Sequence, residues 1–304
     1  MPNLLRNVGP LIRPFSPRDY SPQLWLDAQL SPTTLSVAGV AGTGTVTLVG
    51  TALTGVGTAF TGEVKVGDTI TGTDVSGTVA SITSATALTL SGASGAGAGV
   101  AFTITPVAGV SARIDQANDL SGNGNHLVQA TFAKKVAYLQ TGIAGLPAYD
   151  VDAVDDFLRV TFGAALTQPV TVYVGCSFGS SAANRIAHSG VTALARTNLW
   201  RNITTGDIRS YAGVVLSSSA QPTGAQIYAE IYDGASSSVR QNGTSIASGD
   251  AGGFSLDGVT LGAEFQGSAP LGGKIFMYAV YSGAHTVAQQ TQVENYYKAR
   301  GYWS

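Results

Sequence analysis

Asp119-Leu-Ser-Gly-Asn-Gly-Asn-His126, followed by Gly145-Leu-Pro-Ala-Tyr-Asp-Val-Asp-Ala-Val-Asp-Asp-Phe-Leu158, is the stretch on which the reading of this chain turns. Asn, Asp and Ser side chains bond their own backbone, and glycine takes positive φ without strain, so 119–126 predicts a tight turn cluster. A short strand, a Gly-Pro turn and a second strand beginning after Asp155-Asp156 follow. The chain on either side is read as β-strands packed around this centre.

Downstream, apolar and polar residues alternate over short runs: His126–Thr131, Val136–Leu139, Phe157–Phe162, Val170–Phe178, Asn198–Ile203, Ile208–Leu216, Gln226–Tyr232, Val259–Phe265 and Lys274–Tyr281. Val239–Ile246 carries the Asn242-Gly243 pair of a two-residue hairpin. Many short strands at this spacing predict an all-β fold, a two-sheet antiparallel jelly-roll sandwich. Only the end reads as a helix. Thr286 and Gln289 form a capping box, Val287, Val293, Tyr296 and Tyr297 supply an apolar face, and Gly301 ends it.

Upstream, Gln23–Ala28 is a short strand with Trp25 assigned to the core. Residues 36–106 differ in composition: Gly, Thr, Val and Ala dominate, with Glu63, Lys65, Asp68 and Asp74 as the charges. Alternating runs at 45–49, 69–73, 78–82, 87–90 and 100–104 predict a small all-β module. Val-Ala-Gly-Val occurs at 37–40 and again at 107–110, marking where an inserted domain enters and leaves one loop. The organisation read here is an arm over 1–23, a sandwich over 24–35 plus 107–304, and an inserted module over 36–106. The arm holds five of the eleven prolines, which favour an extended chain. Its apolar residues, Leu4, Leu5, Leu11, Ile12 and Phe15 among them, suit either a path along its own domain or an anchor on a neighbouring subunit.

Composition narrows the function. Charged residues make up 11% of the 304 and the net charge is −2, which gives no reason to expect nucleic acid or an anionic membrane as partner. Cys176 is the sole cysteine, so no internal disulfide forms, and its apolar run predicts a buried thiol. Met1–Arg6 lacks the apolar core of a signal peptide, and no window is long and apolar enough to span a membrane.

The ordered set Leu24-Trp-Leu-Asp-Ala28, Asp119–His126, Gly145-Leu-Pro, Val154-Asp-Asp-Phe-Leu158, Tyr232-Asp-Gly234, Asn242-Gly243, Gly273–Tyr281 and Val293–Lys298 resembles the concanavalin A-like (laminin-G-like) jelly-roll domains of tailed-bacteriophage structural proteins. The insert resembles small β-modules of phage head and tail proteins through Thr58-Ala-Phe60, Val66-Gly-Asp68 and Ser81-Ile-Thr83. The resemblance implies a non-enzymatic virion protein, made in the host cytoplasm, which docks onto other capsid or tail proteins as a homo-oligomer such as a trimer. The alternative is an adhesin for host surface glycans, and the third reading a glycosidase.

Tyr228, Glu230 and Tyr232 share one strand face, which is either an ordinary strand face packed against a neighbouring sheet or subunit or the best carbohydrate-binding candidate, since flat rings stack on sugars and a carboxylate accepts from hydroxyls. Hydrolysis needs two carboxyls at close spacing. The four glutamates, Glu63, Glu230, Glu264 and Glu294, lack the Glu-x-Asp-x-Glu pattern of related laminarinase-like enzymes, leaving a Glu230/Glu264 cross-strand pair to be considered. Asp150, Asp152, Asp155 and Asp156 suggest either calcium oxygens or a self-bonded turn that starts a strand. His126, His188 and His285 show no ligand spacing. No catalytic residue, cofactor or metal is assigned.

Overall fold

The computed structural model describes residues 14–31, 33–179 and 185–303. At its centre the Asp119 carboxylate accepts from the backbone N–H groups of Trp25 (3.0 Å), Ser121 (2.8 Å) and Asn125 (3.0 Å). Asn123 and Asn125 donate to the carbonyls of Pro22 (2.9 Å) and Gln23 (2.7 Å). The polar turn thus clamps the first strand, Leu24–Asp27, by main-chain bonds that no apolar side chain could supply.

The protein is all-β with two packed antiparallel sheets and one long helix. In the first sheet, strands run in the order Thr244–Gly249, Ser237–Gln241, Ala225–Tyr232, Val170–Ser177, Gly273–Ser282. Leu24–Asp27 and Leu146–Val151 then share the free edge of Gly273–Ser282, and Ala137–Ile143 pairs with the latter. The second sheet runs Thr33–Ser36, Arg113–Ala117, Leu127–Val128, Leu158–Leu166, Leu256–Leu261, Arg185–Ser189, Asn198–Arg201, Ile208–Tyr211, Val215–Ser217. The layers join along one side, where Arg113 pairs with Ala137. Positive φ at Asn242 and Gly243 makes the tight hairpin expected there.

Strand alternation sorts side chains into layers. Val172, Val174, Cys176, Tyr228, Tyr232, Tyr278 and Val280 point between the sheets and meet Leu158, Leu199, Ile208, Val259 and Leu261. Fully burying one such aliphatic side chain contributes about 1.5–3 kcal/mol. The opposite face of the first sheet is covered as well. Tyr173, Ile227, Phe276, Ala279 and Tyr281 pack beneath Val293 and Tyr297 of the C-terminal helix Val287–Lys298, with Phe15 and Tyr20 alongside. Trp25 lies in this layer, its Nε1 donating to the Tyr297 hydroxyl at 2.7 Å.

The capping box forms as expected: Gln289 N donates to Thr286 Oγ1 and Thr286 N to Gln289 Oε1. The expected apolar face needs one correction, because Val287 is exposed while Gln290 and Glu294 are buried. Arg240 forms two hydrogen bonds to the Glu294 carboxylate, each 3.1 Å, which makes burial of that charge tolerable.

Residues 40–105 form a third sheet with a core of its own, including Val46, Leu53, Phe60, Ile70, Leu90 and Ile104. Its order is Val40–Ala41, Phe102–Thr105, Thr69–Gly72, Val75–Ser84, Ala87–Gly95, Ala52–Val56, Thr45–Val49, and a bridge from Val46 to Val100 draws the ends together. The chain leaves the sandwich after Ser36 and rejoins it at Arg113.

Three ion pairs, in two clusters of opposite sense, fasten these bodies. Lys65 of the smaller body reaches Asp152 (2.8 Å) and Asp156 (2.6 Å) of the sandwich, and Arg113 of the sandwich reaches Asp68 (2.6 Å). The acidic run is therefore held by an ammonium. Asp152, Asp155 and Asp156 can bring oxygens within 4.8 Å of one another, but Lys65 already sits against two of them. Asp152 Oδ1 also accepts from Val154 N and Asp155 N, the self-bonded turn that leads into Leu158–Leu166. Burial pushes Asp156 up to about 7, against the pull of Lys65. Burial acts on Asp152 too, but Lys65 and the turn N–H groups outweigh it and hold that carboxyl below the usual range.

Candidate functional site

Tyr228, Glu230 and Tyr232 do share one face of Ala225–Tyr232, but that face looks into the sandwich and all three are 0% exposed. Glu230 accepts from Ser210 Oγ (2.8 Å) and the Tyr232 hydroxyl (2.5 Å), and its other oxygen lies 2.6 Å from His188 Nε2. The Tyr278 hydroxyl lies 3.3 Å from His188 Nδ1. This is a closed polar knot in a dry core, with Glu230 fully engaged. Of the two readings of this face the packed strand is the one observed, and the carbohydrate-binding reading of Tyr228, Glu230 and Tyr232 is corrected: the face is interior. Cys176 is buried in the same layer, as expected, and burial raises its thiol well above the ordinary range.

Of the apolar arm residues, Phe15 packs on its own chain, 5.2 Å from the Tyr20 ring and 6.3 Å from Tyr296. Leu4, Leu5, Leu11 and Ile12 lie outside the described residues.

The arrangement that can receive a ligand lies on the outer face of the second sheet. Leu199, Ile208 and Ser210 point inward, so alternation turns Asn198, Trp200 and Tyr211 outward. With Ile186, Arg196, Val215, Glu264 and Ala269 they line a cup of about 300 Å³, at the small end of the usual range for ligand pockets. Two loops complete it. The 190–197 loop is pinned by Asp257, which accepts from Val191 N (2.8 Å) and Thr192 Oγ1 (2.6 Å), and this fixes Arg196. The 262–270 loop turns at Gly267, whose N–H donates to the Glu264 carbonyl at 2.6 Å.

Arg196 is held over the rings of Phe265 (4.6 Å) and Tyr211 (5.3 Å), and its Nη1 lies 3.3 Å from Glu264 Oε1. Cation–π contacts of this kind fix the guanidinium plane while leaving its edge available. Its Nε is buried without a hydrogen-bond partner among the described residues. Asn198 is 5% exposed and its Oδ1 likewise has no partner. A buried polar atom without a partner costs about 1–3 kcal/mol, so a ligand that satisfies it recovers that energy. Trp200 and Tyr211 are half-buried, each keeping part of its ring accessible.

A second cavity of about 300 Å³ lies between the two bodies, walled by Val64, Val66, Ile82, Val110 and Leu139. Its cation, Lys65, is already paired, so it offers less for recognition.

Of the cup residues the sequence reading singled out only Glu264, and as a partner for Glu230. The two are not brought together: Glu230 bonds Ser210 on the inner side of the second sheet, and Glu264 lines the cup on the outer side. The available signal was the run Asn198-Leu-Trp-Arg201 paired with Ile208-Arg-Ser-Tyr211. In it, aromatic and polar residues occupy the positions opposite Leu199 and Ile208.

No family model matches the chain. No curated protein matches it either. Among solved structures, it is similar to domain 4 of AbnA, a GH43 extracellular arabinanase from Geobacillus stearothermophilus, in complex with arabinotriose. The identity is 19%, covering 58% of this chain and 92% of that one, with a TM-score of 0.46. It is also similar to the CBM40 of the IT-sialidase of Ruminococcus gnavus (19% identity, 45% and 96% covered, TM-score 0.35). A third likeness is to the receptor binding domain of botulinum neurotoxin D (10% identity, 60% and 50% covered, TM-score 0.47).

Proposed function

We propose that this protein is a glycan-binding β-sandwich whose site is the cup around Trp200. The observation that carries the reading is the juxtaposition of two part-buried aromatic residues, Trp200 and Tyr211, with the Arg196 guanidinium and the Glu264 carboxylate in one small concavity. Sugars present an apolar ring face and a rim of hydroxyls, which match an aromatic ring beside fixed polar atoms. The test is calorimetric titration of the whole chain with a panel of saccharides, repeated with Trp200→Ala. Loss of a ring platform is expected to weaken binding at least tenfold while the circular dichroism spectrum stays unchanged. Undiminished binding by a folded Trp200→Ala protein would move the site elsewhere.

The finer part of the proposal places this sandwich on a tailed-phage particle as an oligomer, docked to capsid or tail proteins. Its support is the ordered sequence resemblance described above. Electron microscopy of particles labelled at the C-terminus tests it: label on the head lattice or tail supports the placement, and unlabelled particles overturn it.

A further inference from the structure

The charges in the cup narrow its ligand, and this step rests on the glycan-binding reading. Arg196 and Glu264 stand side by side, Nη1 and Oε1 3.3 Å apart, without the alignment of a formed hydrogen bond. Ser268 Oγ donates to the other Glu264 oxygen at 3.0 Å, which orients the carboxylate. The cup therefore presents a fixed donor edge next to a fixed acceptor. Its formal charge sums to zero. Arg209, on the adjoining strand, is balanced by Asp207 at 3.2 Å.

We propose that the cup takes a neutral sugar through a pair of vicinal hydroxyls, and discriminates against sugars bearing a carboxylate. One hydroxyl accepts from the Arg196 edge, and its neighbour donates to Glu264. A diol suits this pair because each hydroxyl both donates and accepts, whereas a carboxylate only accepts. A carboxylate that approaches Arg196 also meets Glu264 at similar range. Repulsion then offsets the attraction, and its desolvation is left uncompensated.

The experiment compares methyl glycosides of neutral hexoses and pentoses with their uronic and sialic acid counterparts, by calorimetry on the full chain, for wild type and Glu264→Gln. Glu264 is part-exposed, and glutamine keeps its shape, so the variant is expected to fold. The wild type should bind a neutral sugar at least tenfold more tightly than any acidic one. Glu264→Gln should weaken the neutral sugar and strengthen acidic ones, since Arg196 is then unopposed. A wild type that prefers acidic sugars overturns the ligand class and leaves the glycan reading standing, as does a Glu264→Gln variant with unchanged preference. A wild type that binds no saccharide in the panel overturns both.

Discussion

Replacing Asp68 by Asn removes one charge from the junction and leaves every other atom almost in place. Asp68 and Arg113 are both fully buried, their closest approach is 2.6 Å, and Asp68 also accepts from the Lys65 backbone N–H at 2.8 Å. The asparagine retains an acceptor for that N–H, so the loss falls on Arg113. Its guanidinium, stacked over Phe132 at 5.3 Å, is then an unpaired cation in a dry interface. Breaking a buried pair from one side costs about 3–5 kcal/mol, whereas replacing both members by apolar residues of similar volume is close to neutral. Asp68→Asn should therefore lose about 3–5 kcal/mol, and Asp68→Asn/Arg113→Met, which keeps the acceptor for Lys65 N–H and removes the stranded cation, should recover most of it. Urea unfolding reads both quantities. All three tryptophans, Trp25, Trp200 and Trp303, lie outside residues 40–105, so fluorescence follows the sandwich while far-ultraviolet dichroism follows both bodies. The two curves should coincide in the wild type and separate in Asp68→Asn. A single variant within about 1 kcal/mol of wild type, or a double variant no better than the single, would refute the reasoning.

Two further outcomes follow from buried groups. Burial lifts Asp156 in the fold to about 7, whereas an unfolded aspartate titrates near 3.9. Its proton thus favours the folded state: that contribution is complete below about pH 4 and is lost as pH rises through about 7. The difference corresponds to at most about 4 kcal/mol, so wild-type stability should fall between about pH 4 and about pH 7 more steeply than that of Asp156→Asn, and parallel slopes would sink the assignment. Tyr228→Ala opens a cavity between the sheets and should cost about 3–5 kcal/mol in urea unfolding. Saccharide affinity of the folded protein should not change; a selective loss of affinity would restore Tyr228 as a contact residue.

Sheet architecture was legible because period-two alternation survives wherever one face is buried against the other layer. Asn242-Gly243 and the Thr286/Gln289 box were legible because their chemistry is local. The orientation of Tyr228, Glu230 and Tyr232 was not. Alternation separates two faces, and here both are buried: Ile227 and Ala229, on the opposite side, pack beneath the helix. Glu230 could not be placed from its own strand because its partners, His188 and Ser210, come from strands 42 and 20 positions away. The same holds for Lys65, which meets Asp152 across 87 positions and turns an apparent calcium cluster into an ion pair. Val287 was misplaced for a related reason. Gln290 instead turns inward, donating to the His285 carbonyl at 2.9 Å, and Arg240 draws Glu294 down.

The location of the cup follows from what covers the rest. The inner faces of both sheets form the core, and the helix with Phe15 and Tyr20 seals the outer face of the first. A ligand must therefore use the outer face of the second sheet or a loop rim. The smaller body takes up one end of that sheet, where Thr33–Ser36 and Arg113–Ala117 lie, while the cup is built on strands 185–217 at the other. The smaller body and the cup thus lie at opposite ends of one sheet. Removing residues 37–106 takes away Lys65 and Asp68 together and opens the junction, so Arg113, Asp152 and Asp156 pass into water, where hydration replaces the lost counter-charges. What the deletion costs is apolar cover: Phe132, packed against the core of the smaller body, becomes exposed. A folded sandwich shortened in this way should keep the saccharide affinity of the whole chain, and a folded one that has lost it would tie the cup to the smaller body.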